Sequence, residues 1–94
     1  MSSAANRPFA IEWTSPARRA LERLPEKVAT AAVEFIYGAM AENSERVGRA
    51  LRFELEGKRS AHRGDYRVVY SIDERRRIVY IEALEHRSDV YSRR

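Results

Sequence analysis

The feature that most constrains this chain is a Gly64-Asp65 pair set inside the segment KRSAHRGDYRVVYSID, residues 58–73. Glycine and aspartate between two strand-forming runs signal a hairpin closed by a two-residue loop. Such a loop pairs Arg63 with Tyr66 and His62 with Arg67. Side chains alternate along each strand, and directly opposed residues share a face. Lys58, Ser60 and His62 then stand with Arg67 and Ser71 on one face, while Ala61 joins Tyr66, Val68, Tyr70 and Ile72 on the other. One face reads as core and the other as a cluster of cations and hydroxyls. Cations gathered on one face of a small sheet call for a polyanion to meet them.

The rest of the chain supplies what that hairpin packs against. Phe9, Ile11 and Trp13 alternate with other residues, which predicts a short strand. Thr14 or Ser15 before Pro16 is a helix-start signal, because a hydroxyl caps and proline is tolerated at the first helical position. Ala17, Ala20, Leu21 and Leu24 fall on one helical stripe, which Pro25 ends. Val28, Ala32, Phe35, Ile36, Ala39 and Met40 form a second stripe between Glu26 and about Asn43, so Pro16 to Asn43 reads as a helical hairpin. Leu51, Phe53 and Leu55 alternate with charged residues as a strand or an extended lead-in. The run from Ile78 to Leu84 is apolar on both faces and predicts a central strand. A strand, two helices and then three or four strands make an α+β fold with a mainly antiparallel sheet. Leu21, Leu24, Phe35, Ile36, Val68, Tyr70 and Ile81 are the expected core.

Ninety-four residues suit one domain, expected over residues 9–94 after a flexible tail of residues 1–8. The chain has no cysteine, no apolar run of membrane-span length and no signal-peptide pattern, which fits a cytoplasmic protein with no membrane partner. A net charge of +4 and a pI near 9.8 favour nucleic acid or an acidic protein as partner. Metal chemistry finds little support, since His62 and His86 are the only histidines and no carboxylate cluster accompanies them at ligand spacing. No glycine-rich phosphate loop or dinucleotide fingerprint is present. No metal or organic cofactor is expected. Ser60, His86 and Asp89 can be written as a Ser–His–Asp triple, but such triples arise by chance in most sequences.

Arg67 is the leading chemical candidate, a cation inside a strand pattern that costs free energy unless partnered. Its partner is either a glutamate on the same sheet or a phosphate, which the planar guanidinium fork binds bidentately. Lys58 alone reads as surface charge, and gains weight by sharing Arg67's face. Arg87 and Tyr91 follow the last strand, where a terminal segment can fold back over the sheet. Tyr91 is either a packing residue or an aromatic that stacks on an unpaired base.

GDYRVVY (residues 64–70), HRSDVY (residues 86–91) and SPARRAL (residues 15–21) followed by Leu24-Pro25 together resemble the RelE superfamily, the small ribonucleases of type II toxin–antitoxin pairs. The resemblance runs from about Phe9 to Tyr91. It implies a RelE-like α+β fold and a metal-independent mRNA endoribonuclease that acts on translating ribosomes, stops translation and leaves a 2′,3′-cyclic phosphate. A cognate antitoxin, mRNA and the ribosome are the implied partners. By resemblance Lys58 is the general base, Arg67 and Arg87 clamp phosphate, and Tyr91 orients the substrate or stacks on a base. His62, Arg63 and His86 are secondary candidates, and Arg59 is a further cation within reach. Some relatives carry a second basic residue two positions after the lysine; Ser60 stands there instead, which implies greater reliance on the ribosome to position the substrate. A ParE-like toxin directed at DNA gyrase shares the fold, and a basic non-enzymatic RNA-binding module is the third reading.

Overall fold

A computed structural model describes residues 8–51 and 57–86. The described chain runs β1 (Ala10–Trp13), α1 (Ser15–Arg23), α2 (Glu26–Phe35), β2 (Arg49–Ala50), β3 (Arg59–Arg63), β4 (Tyr66–Asp73) and β5 (Ile78–His86). Its strands form one sheet in the order β1-β5-β4-β3-β2. β1 lies parallel to β5, because the two helices carry the chain across between them, and the remaining neighbours are antiparallel. The expected α+β architecture is the one observed, with β5 in the interior of the sheet and the N-terminal strand as its parallel edge.

Local chemistry explains the boundaries. Thr14 is the N-cap of α1: its hydroxyl accepts from the Ala17 N–H at 3.4 Å and donates to the Ile81 carbonyl at 2.8 Å. One side chain therefore starts the helix and ties it to the central strand. Pro25 separates α1 from α2, and α2 continues into a π-helical turn over Ile36–Met40. The extra residue of a π turn rotates the helical residues beyond it, and here both Ile36 and Met40 are fully buried.

The helices cover one face of the sheet. Ala17, Leu24, Ala32, Ile36 and Met40 pack with Ala61, Tyr66, Val68, Tyr70, Val79, Ile81 and Leu84 in one buried cluster. Leu21 and Phe35, expected in the core, are half-buried at its margin. The Arg63 guanidinium lies over the Phe35 ring, 4.5 Å from its centroid, so the ring is capped by a cation instead of apolar side chains. The β3–β4 register is the one the Gly64-Asp65 turn predicts, with Arg63 opposite Tyr66 and His62 opposite Arg67. Gly64 takes φ +52°, a conformation that glycine adopts without a Cβ penalty. Of the alternating Leu51 to Glu56 segment, Leu51 donates its N–H to the Lys58 carbonyl at 2.8 Å, and residues 52–56 lie outside the described residues.

A β-bulge in β5 sets the far wall of the open face. Val69 pairs with Ala83 but Tyr70 pairs with Ile81, so Glu82 is the extra residue. Val79, Ile81 and Leu84 are all buried, at spacings of two and then three. Strict alternation would turn Leu84 outward. The bulge lets Leu84 join the core and re-aims the residues around it, as bulges beside functional sites commonly do.

Candidate active site on the open sheet face

The side of the sheet away from the helices carries the polar members of the hairpin. Glu82 accepts from the Ser71 hydroxyl at 2.9 Å and pairs with the Lys58 ammonium at 3.3 Å. Three residues further on, Glu85 accepts from Arg67 through both Nε (3.1 Å) and Nη2 (2.5 Å). The glutamate partner for Arg67 is thus realised in this structure, and Glu85 is that glutamate. The Lys58 and Arg67 side chains remain 34% and 46% exposed. Ion pairs this open to solvent contribute about 0–1 kcal/mol, so a stronger anion displaces them readily.

The remaining expected residues fall in different places. His62 is exposed beside Arg67, its register partner. Arg63 shares the register position of Tyr66 and stacks on Phe35, with its guanidinium donating to the His62 carbonyl at 2.9 Å. His86 is opposite Tyr66 and so on the helix-covered face, away from Lys58 and Arg67. Ser60 faces the other way, which separates it from His86. Arg59 is structural: its Nη2 donates to the Glu45 carbonyl at 2.6 Å and the Gly48 carbonyl at 2.9 Å. Arg87, Asp89 and Tyr91 lie outside the described residues. Among the described residues, no three His, Cys, Asp or Glu side chains gather as a metal-binding group, and no helix is long and apolar enough to cross a membrane.

The turn that precedes β2 completes the site, and sequence reasoning passed it over. A groove of about 600 Å³ opens between residues 46–51 and the β3–β4 hairpin. Its lining includes Arg46, Arg49, His62, Arg63 and Arg67 and, among the described residues, no carboxylate. A smaller hollow of about 310 Å³ beside Phe9 mixes Glu42, Glu45 and Glu74 with Arg46 and Arg77, and so presents no field of one sign. The turn bearing Arg46, with Arg49 just beyond it in β2, is held from several directions. Besides the two Arg59 bonds, Tyr70 donates its hydroxyl to the Ser44 carbonyl at 2.6 Å from inside the core. Gly48 packs so closely that a Cβ there would sit 2.5 Å from Tyr70 Oη and 2.7 Å from the Ser60 carbonyl oxygen.

The chain matches the family described as the ParE toxin of type II toxin–antitoxin systems (parDE) over residues 11–91. It is 49% identical over 84 residues to Toxin RelE of Mycobacterium tuberculosis, covering 89% of this chain and 87% of that protein. Toxin RelG of the same organism is 43% identical over 86 residues, covering 92% and 99%. Among solved structures, the M. tuberculosis RelBE2 toxin–antitoxin complex aligns with a TM-score of 0.83 at 42% identity, over 85% of this chain and 99% of that one. The isolated E. coli RelE toxin aligns at 0.69 with 15% identity, over 90% and 93%, a likeness of fold alone.

Proposed function

The chain belongs to the RelE/ParE superfamily of type II toxin–antitoxin toxins, and from that premise we propose that it is an mRNA endoribonuclease acting on translating ribosomes. The observation that carries the reading is Arg67. It projects from a paired strand, where a charge is positioned without reorganisation, and its fork already grips an anion. Glu85 occupies the seat that a phosphate oxygen would take. Two curated relatives above 40% identity bear RelE or RelG toxin names, which supports the nuclease branch of the superfamily.

RNA carries its own nucleophile. The 2′-hydroxyl attacks the adjacent phosphorus, its proton passes to a base, and the 5′-oxygen leaves with a proton, giving a 2′,3′-cyclic phosphate and a 5′-hydroxyl end. Lys58, as the neutral amine left once its ammonium proton is released and the pairing with Glu82 is given up, is the proposed proton acceptor. Arg67 and Arg87 neutralise charge that develops on the phosphate, and Tyr91 orients the nucleotide or stacks on a base. His62 lies beside Arg67 as a second candidate for the proton. Ser60 contributes no charge, which fits a toxin that leaves in-line positioning of the message to the ribosome. Such a toxin needs restraint. The neighbouring RelBE2 structure is a toxin–antitoxin complex, and a cognate antitoxin is the proposed partner here, by helix-in-groove docking or strand addition.

The ParE name of the matching family favours one other reading, a non-nuclease toxin directed at DNA gyrase. Fold does not separate the two. Primer extension on a reporter mRNA in a reconstituted translation system does: the ribonuclease reading expects new 5′ ends with wild type and far slower appearance of them with Arg67→Ala. Growth arrest with intact mRNA and blocked gyrase supercoiling would replace it with the gyrase reading.

A further inference from the structure

Arg46 and Arg49 have no part in the proposed cleavage chemistry, yet both line the groove that reaches Arg67. Both are exposed, and neither makes an ion pair with any described residue, whereas Lys58 and Arg67 are already paired with glutamates. Arg49 is the register partner of Ser60, so it shares the open face with His62 and Arg67, and the short serine keeps the groove floor low in front of it. The turn that presents these arginines is fixed by bonds from Arg59 and Tyr70 and by the absence of a Cβ at Gly48. Arg46 and Arg49 meet no carboxylate among the described residues that line the groove, and together with the Glu85-paired Arg67 they set up a positive field there that favours an anion. The volume, about 600 Å³, lies in the range of sites that enclose small organic ligands.

We propose that this groove is a track for single-stranded RNA, in which Arg46 and Arg49 each hold a backbone phosphate flanking the one that Arg67 takes. The inference rests on the ribonuclease reading and deepens it, because the track is continuous with the seat of the reacting phosphate. RNA is favoured over an acidic protein segment on the same ground. A charge repeated along a backbone matches cations placed on both walls, at Arg46 and Arg49 on one and at Arg67 on the other. Arginine provides the planar fork that phosphate oxygens fit. Recognition of this kind reads backbone and carries no base preference.

The test is binding of a 2′-O-methyl RNA, which lacks the attacking hydroxyl, to the full chain at several salt concentrations. Each phosphate contact on a single strand contributes about 0.7 to the slope of log affinity against log salt. The Arg46→Gln/Arg49→Gln variant should therefore show a slope shallower than wild type by about 1.4. Arg46→Lys/Arg49→Lys should keep most of the slope, which a purely structural role for the arginines would not allow. Arg18→Gln/Arg19→Gln removes the same charge from exposed positions on α1, on the opposite side of the sheet, and should keep the wild-type slope. Equal losses from both glutamine variants would reduce the effect to net charge and overturn the track. A wild-type slope in Arg46→Gln/Arg49→Gln, with RNA still bound, would overturn the track and leave the Arg67-centred reading standing. Binding of polyglutamate but not RNA by wild type would overturn both and assign the groove to an acidic partner.

Discussion

Arg67 and Glu85 give the most direct test of how one side chain divides its work between fold and function. Their ion pair is open to solvent, so its loss should change stability by no more than about 1 kcal/mol. A positioned cation at a phosphoryl centre resembles an oxyanion-hole donor, whose removal typically costs roughly 2.7–4 kcal/mol in the transition state. Arg67→Ala should therefore leave the thermal midpoint nearly unchanged and lower cleavage about a hundred- to a thousandfold, measured as first-order decay of a ribosome-bound message. Glu85→Gln is predicted to act in the other direction. It frees the anion seat, and RNA binding should tighten by up to about fivefold, the equivalent of 1 kcal/mol; weaker binding would show that Glu85 aims Arg67 instead of competing for it. Arg67 was legible because alternation across a two-residue turn fixes which face a strand residue takes. A sheet glutamate as its partner was legible too. Arg46 and Arg49 were not, because their place depends on a turn pinned by residues eleven to twenty-six positions away in sequence.

That turn is the least tolerant short element of the fold. Gly48→Ala would drive a methyl against a core tyrosine hydroxyl and a backbone carbonyl, and the carbonyl belongs to a paired strand that cannot simply rotate away. The expected cost is about 1–3 kcal/mol, read as a lower urea midpoint, together with weaker RNA binding as Arg49 moves. Tyr70→Phe tests the same element from the core side. It removes the donor to Ser44, leaves a buried carbonyl unsatisfied and should cost about 1–3 kcal/mol. No loss in either variant would contradict the pinning of this turn. Among the strands, those of the hairpin were plain from periodicity, as was the interior position of β5. The bulge at Glu82 was hidden, since an apolar run with both faces filled gives no sign of where its alternation slips. The parallel pairing of β1 with β5 was also hidden, because an edge strand's partner is chosen by the path of the intervening helices and not by its own side chains.

For the folded domain as a unit, the buried tyrosines set an alkaline limit. Burial raises the Tyr66 and Tyr70 phenols above their usual value, against smaller opposing effects of Arg63 on Tyr66 and of Arg59 and Arg63 on Tyr70. The unfolded chain releases these protons first, near the ordinary phenol value of about 10. Their contribution to stability is therefore complete below about pH 10 and is lost as pH rises through the raised folded-state values. Urea unfolding should show stability falling above that point, with a shallower fall in Tyr70→Phe. The proposed function draws at the same level on one face of the sheet being open while the other is sealed by helices, an asymmetry already present in the alternation of β3 and β4. Whether that face cuts RNA is decided by primer extension on a reporter mRNA in a reconstituted translation system, with wild type, Arg67→Ala and Lys58→Ala compared at equal concentration. The expected result is discrete new 5′ ends with wild type and at least a hundredfold slower appearance with Arg67→Ala; Lys58→Ala should be similarly impaired as the base, and His62→Ala should take that place if it is not. Intact mRNA with all of these proteins, while wild type still arrests growth, would contradict the ribonuclease reading.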